Sequence, residues 1–311
     1  MFAGASARRY TYEDAVFDCR TGGVLRAGHY LPPARGRRFD LRAGLAGALE
    51  EAAIAFDAGP RGAIIGYHSG FRNYFHWMTQ CLLGIHLLDQ TEECRGLPIL
   101  LPRLKGFHQR SLALLGIDPA RLLVARLNAT YRVHRLYMAD TMFAAGARKA
   151  PRQLRAMAEA IRARAEATTG TGASPAGRAI YVSRLDSTRR VMTNERALIA
   201  ALEAIGIEHV SMGGRPMEEQ IAIFAGASLV VAPHGAALTN LIFARPGAML
   251  YELFPANYPQ NCYRILAGQM DMAYQSDAFA VTLDKGHDST WEVKVDAVAG
   301  RAAAMLSNLP G

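Results

Sequence analysis

Apolar and polar positions along the chain fall into two successive series of short apolar runs and helically spaced stretches. From Tyr10 to Leu31, short alternating segments split by Thr21-Gly22-Gly23 read as a small β element. Arg61 to Ser69 (RGAIIGYHS) then reads as a buried strand, and Phe71 to Gln90 carries apolar residues at helical spacing. Pro98–Leu104, Arg121–Ala125 and Arg132–Met138 read as further strands, with a helix at Phe107–Leu115 ended by Gly116. Near Ala150 the pattern changes to a long Ala/Arg/Glu helix, Pro151 to Thr168, closed by the Gly/Ser/Pro-rich segment Gly170 to Gly177. A second series follows, with strands at Ala179–Ser183, Glu208–Ser211, Leu229–Ala232, Ala248–Phe254 and Ala273–Gln275. Helices are expected between them at Asn194–Ile205, Met217–Ala225, Ala237–Ala244 and Tyr263–Met270, and a last amphipathic helix in Trp291–Leu306 is expected to cross back to the first domain. Strands alternating with helices imply parallel sheets. The expected organisation is an α/β domain over 1–150, a linker over 151–177, a Rossmann-like domain over 178–290 and a C-terminal helix over 291–311.

Half of the 311 residues are apolar, enough for two cores of ordinary size. The longest apolar stretch, Ile221 to Pro233, is broken by Gly226 and Ser228 and falls short of the roughly 20 residues that a membrane span needs. Met1 to Tyr10 shows no secretory pattern, so a cytoplasmic address is expected. The net charge of +8 leaves a peripheral attraction to an anionic inner-membrane surface open. Cys19, Cys81, Cys94 and Cys262 form no C-x-x-C pair, which argues against a disulfide framework or a zinc site. All but four of the 35 basic residues are arginine, and arginine forks suit phosphate. No nucleic-acid reading motif accompanies the charge.

Two segments carry candidate chemistry. In Val230 to Asn240 (VVAPHGAALTN) an apolar strand runs through a Pro-His-Gly turn into a helix, the place where doubly wound sheets bind anions on free backbone amides. Gly235 and Ala236 let a phosphate approach the backbone, and His234 stands beside it as a donor, unless it only caps a neighbouring carbonyl. Tyr181 to Arg190 (YVSRLDSTRR) places Arg184, Arg189 and Arg190 on a loop at a strand's end, where they can grip a diphosphate, unless Arg190 pairs with Asp186 or Glu195. Glu252, at the end of another strand, is a candidate acceptor for a ribose diol or else a surface carboxylate.

The runs YVSR, RRVMTNE, EEQIAIFAGA, VVAPHGAALTNLIF and YELFP between Tyr181 and Tyr274, with NYFHW at Asn73 to Trp77, together resemble glycosyltransferase family 61. The resemblance implies a GT-B architecture of two Rossmann-like domains facing a cleft. It also implies inverting transfer of a sugar from a nucleotide donor such as UDP-xylose or UDP-N-acetylglucosamine to a hydroxyl of a glycan or glycoconjugate. A bacterial role in capsule or lipopolysaccharide assembly is the expected setting. The donor set carried over is Ser183, Arg184, Arg189, Arg190, His234, Gly235, Ala236, Thr239, Asn240 and Glu252. Inversion needs a base for the acceptor hydroxyl, and His76 is the first choice, with Asp140 and His68 in reserve. Asn73 and Trp77 are expected at the acceptor side, although an aromatic on a buried helix is more often core. No D-x-D pair occurs in the sequence, so neither metal nor cofactor is expected, and the leaving diphosphate would be met by the arginines and the helix start. A nucleotide-sugar epimerase or phosphorylase, or a non-catalytic binding module, remains an alternative.

Overall fold

The computed structural model describes residues 7–32, 37–142, 150–170 and 177–309 and divides into two compact units that meet in sequence at Ile161 and Arg162. The expected N-terminal pattern over residues 1–6 and most of the Gly170–Gly177 segment lie outside the described residues. Among the described residues no helix is long and apolar enough to cross a membrane.

The first unit contains strands β1 (Arg9–Asp18), β2 (Gly23–Arg26), β3 (His29–Tyr30), β4 (Ile54–Ala55), β5 (Ala63–Ile65), β6 (Ile99–Leu101), β7 (Leu122–Val124) and β8 (Thr130–Ala139). They form one sheet in the order β3-β2-β1-β8-β5-β6-β7, with β4 also along β8. The sheet is mixed rather than parallel. β5, β6 and β7 run parallel to β8, whereas β1 lies antiparallel to β8 from Arg9 opposite Ala139 to Asp18 opposite Thr130. Two short helices, α1 (Arg37–Ala43) and α2 (Ala46–Glu51), were not foreseen in the sequence pattern; α2 buries little beyond Ala46. The expected helix after β5 is composite. It starts as α3 (Tyr74–His76), widens into a π turn over Trp77–Leu82 and continues as α4 (Leu83–Asp89). Next come α5 (Gly106–Leu115), ended by Gly116 at φ 86°, and α6 (Pro151–Thr169), which spans the boundary between the units. The positive φ at Gly116 is a left-handed helix cap that glycine adopts without steric cost.

The second unit carries five parallel strands, β9 (Arg178–Val182), β11 (Glu208–Val210), β12 (Ala227–Pro233), β13 (Met249–Pro255) and β14 (Ala273–Phe279), in the order β11-β9-β12-β13-β14. This is a doubly wound, Rossmann-like order whose switch point lies between β9 and β12. A small sheet of β10 (Val191–Met192), β15 (Val281–Leu283) and β16 (Thr290–Trp291) stands beside it. Side chains alternate across β12 and β13. Leu229, Val231, Tyr251 and Leu253 enter one core cluster with Leu198 and Leu202 of α7 (Glu195–Glu203) and Val298, Ala302 and Met305 of α10 (Val295–Ser307). α8 (Met217–Gly226) and α9 (Cys262–Gln269) both pack against residues 236–243.

One expectation is corrected here. The C-terminal helix does not start at Trp291, which belongs to β16, and its buried face lies on α7 within the second unit. The physical reason is that α7 alone leaves the apolar faces of β12 and β13 uncovered, and α10 completes that layer. The helix expected after the Pro-His-Gly turn is present, as a 3-10 helix over Ala236–Phe243. Eight residues is long for that geometry.

Candidate functional site

Two loops meet at the switch point. After β9 the chain passes Ser183, which is buried and donates its N–H to the Val210 carbonyl, and enters the arginine loop. After β12 it passes His234 and Gly235. The backbone of Gly235 is extended (φ −169°, ψ 163°), which any residue adopts. A Cβ there would fall on Nη1 of Arg184, so a larger residue would displace that guanidinium. The Arg184 guanidinium therefore lies directly on the turn that follows β12.

Arg184 is held from several sides. Its backbone N–H donates to Glu195 Oε1 (2.7 Å), and its Nη2 donates to Ser187 Oγ (2.8 Å) and to the Arg189 carbonyl (3.0 Å). Glu195 is buried and also accepts from the Tyr181 hydroxyl (3.0 Å). Burial pushes the Glu195 carboxyl up, against the opposing pull of those hydrogen bonds. Burial first, and then the nearby Arg190, pull the Arg184 guanidinium below its ordinary value.

Arg190 occupies the left-handed region at φ 53°, an uncommon conformation for a side-chain-bearing residue. Its N–H donates to the His287 carbonyl (3.0 Å), its carbonyl accepts from Trp291 Nε1 (2.8 Å), and its guanidinium lies 4.5 Å over the Tyr258 ring. The small sheet thus fixes the loop. Neither Asp186 nor Glu195 pairs with Arg190, and among the described residues no carboxylate forms a salt bridge with Arg184 or Arg190. The Nε atoms of both arginines are buried without a hydrogen-bond partner. Two guanidinium groups without carboxylate partners among the described residues, one of them lying on the turn after β12, form a site suited to an anion. Arg189 is exposed, and no described residue holds its side chain.

His234 does not cap a carbonyl. Its Nδ1 lies 2.6 Å from Oε1 of Glu252, its ring stacks on Phe254 (5.3 Å), and Tyr258 and Tyr263 flank it. Glu252 is fully buried, and its second oxygen accepts from the Tyr274 hydroxyl (2.9 Å). Both carboxylate oxygens are spent inside the protein, so the expected ribose contact is replaced by an internal one. Thr239 and Asn240 are also fully buried; Thr239 lies beside the Tyr263 phenol, and Asn240 donates to Gln220 of α8 (3.0 Å). They brace the segment behind the turn. Ala236 is exposed at the mouth.

In the first unit the NYFHW segment is spent mostly on architecture. Asn73 Oδ1 caps the helix by accepting from Phe75 N–H (2.9 Å). Trp77 is fully buried, donates to Ser111 Oγ (2.8 Å) and packs edge-on to His108 at 4.7 Å. The expectation of Trp77 at an acceptor surface is corrected: it is core of the first unit. His108 itself is structural, binding the Phe71 carbonyl and the Lys105 N–H, and burial pulls its imidazole down. His76 is half-buried, with Nδ1 on Gln80 Oε1 (2.9 Å) and its ring against His68 at 5.7 Å. Among the described residues its Nε2 has no hydrogen-bond partner. Asp140 is buried and accepts from the Arg8 N–H (3.0 Å). The structure thus brings His76 and His68 together and, separately, brings together Arg184, Arg190, Gly235, His234 and Glu252.

Tyr258, Tyr274, His287 and Trp291 stand around these residues without having been singled out as site candidates in the sequence, and Glu195, considered there as a partner of Arg190, bonds the Arg184 N–H instead. His287 is exposed, and its Nδ1 lies 3.4 Å from Nη1 of Arg190. Among the described residues no group of three or more His, Cys, Asp or Glu side chains could hold a metal ion.

The second unit is thus a doubly wound, Rossmann-like domain with two loops meeting at its switch point. Residues 74–251, more than half of the chain, match the Glycosyltransferase 61 family, and the chain belongs to it. It is 35% identical over 102 residues to the EGF domain-specific O-linked N-acetylglucosamine transferase of Drosophila melanogaster, covering 32% of this chain and 19% of that protein. It is 36% identical over 96 residues to protein O-linked-mannose beta-1,4-N-acetylglucosaminyltransferase 2 of Takifugu rubripes, covering 28% of this chain and 16% of that protein. The chain thus spans less than a fifth of the length of either relative.

Proposed function

We propose that the chain is an inverting, metal-independent glycosyltransferase that moves a sugar from a UDP-sugar to a hydroxyl of a glycan or glycoconjugate. The observation that carries this reading is the pair Arg184 and Arg190, free of carboxylate partners among the described residues and set at the switch point, with Arg184 on the Gly235 turn. Family membership supplies the sugar-transfer class. The names of both relatives contain N-acetylglucosamine, which favours an N-acetylhexosamine as the donor sugar. Absence of a D-x-D pair favours a leaving group met by protein cations. The bacterial cell-surface glycan role and the GT-B arrangement follow from the resemblance alone.

In this scheme a base takes the acceptor hydroxyl's proton as its oxygen attacks the anomeric carbon. The bond from that carbon to the β-phosphate oxygen breaks, and the electron pair leaves with UDP. Arg184, Arg190 and the amides after Gly235 meet the charge that develops there. The test is thermal shift of the purified protein with UDP, GDP, CDP and TDP, EDTA being present throughout. UDP is expected to raise the melting temperature selectively, since a ligand of the folded state stabilises it by about 2.7 kcal/mol at a hundredfold excess over Kd. Arg184→Ala is expected to lose the rise. No rise with any nucleotide at millimolar concentration overturns the donor site, and transfer abolished by EDTA and restored by manganese overturns metal independence.

A further inference from the structure

We propose that Glu252 and Tyr274 are positioning residues that keep His234 as an imidazolium, the third cation of the diphosphate site, with its Nε2–H aimed at a phosphate oxygen. This rests on the donor-site reading given above and goes beyond it by naming what holds the charge.

Three observations carry it. First, the Glu252 carboxylate is fully buried, and among the described residues its only ion-pair partner is His234, at 2.6 Å. Its other neighbour is a neutral phenol, Tyr274, at 2.9 Å. A buried carboxylate without a cation is costly, and an imidazolium is the group in place to neutralise it. Second, Nδ1 is committed to that carboxylate, so whatever His234 offers to a ligand it offers through Nε2, which has no partner among the described residues. A neutral imidazole in this tautomer would turn a lone pair toward an anion, whereas the charged form turns an N–H. Third, the ring cannot swing freely, because Phe254 stacks on it and Tyr258 and Tyr263 flank it at 5.6 and 5.1 Å.

The other charged groups around it oppose protonation. Arg184 lies on the adjacent Gly235, Arg190 and His287 lie against Tyr258, and Arg264 lies near Tyr274. Glu252 is the group that counters them, and an arriving diphosphate would add to its effect.

The experiment is calorimetric titration of UDP into wild type and variants between about pH 5.5 and 8.5, the window in which an imidazole changes charge. His234→Ala is the baseline that removes the pH dependence due to this residue while leaving that of UDP itself. Relative to that baseline, wild type is expected to bind about tenfold more tightly at the acid end and to lose the advantage as pH rises. Glu252→Gln keeps a hydrogen-bond acceptor but removes the negative charge. It is expected to move the midpoint of that loss about one pH unit lower, the smallest shift typical of an opposite charge at contact distance. Tyr274→Phe, which leaves the carboxylate in place, is expected to move it less and serves if Glu252→Gln does not fold. A Glu252→Gln profile superimposable on wild type, or a Tyr274→Phe shift as large as the one expected of Glu252→Gln, overturns the proposal while leaving the donor site standing. A wild-type protein that binds no UDP at any pH overturns the donor site itself.

Discussion

The NYFHW and VVAPHG segments stand out equally in the sequence, yet they spend their polar atoms in opposite ways. In the first, Asn73 Oδ1 closes a helix end, the Trp77 indole is bonded to Ser111 in the core, and Nε2 of His76 lacks a hydrogen-bond partner among the described residues. In the second, the turn is backed by a carboxylate and a phenol, and the neighbouring arginines keep donors unspent. A segment can therefore mark a family through its packing as well as through its chemistry. Hydrogen-bond accounting separates the two: an atom already bonded inside the core is not available to a ligand.

Three substitutions in NYFHW sharpen this contrast. His76→Ala carries the largest expected effect, a loss of about 10²- to 10⁴-fold in kcat with UDP affinity unchanged, measured by steady-state transfer and calorimetry. Turnover within a few-fold of wild type would move the base elsewhere. Trp77→Ala is expected to cost about 3 to 5 kcal/mol of stability in a denaturant titration, with UDP affinity of the folded fraction retained. A stable Trp77→Ala protein with a raised acceptor KM would restore an acceptor-side role. Asn73→Ala is expected to cost only about 1 kcal/mol, as loss of a helix cap does; an effect on kcat beyond that on stability would break the structural reading of this residue.

What was legible in the sequence follows the range of the interactions involved. The strand and turn of VVAPHG and the arginine loop after YVSR could be read because each is local: an apolar run, then turn residues, then cations. Glu252 was noticed and given the wrong partner. Its contact with His234 spans 18 residues and depends on β12 and β13 lying parallel, with Ala232 opposite Glu252 and Pro233 opposite Leu253. Tyr274 needs a third strand in register, and nothing local marks it. The direction of β1 against β8 in the first sheet is likewise a property of pairing, invisible in either strand alone. The helix at 236–243 was legible but its 3-10 type was not, because over eight residues an apolar pattern hardly distinguishes three from 3.6 residues per turn. α1 and α2 were missed because helices of seven and six residues show too few turns for a period to register.

The strand order of the second unit has a consequence for how the protein can change. The chain leaves the neighbouring strands β9 and β12 toward opposite edges of the sheet, so the meeting of the two loops that follow them is a product of the chain's path. Side chains there decide what the loops could grip, while their meeting does not depend on them. A lineage could exchange the arginines or the histidine for other groups and keep the convergence of the two loops.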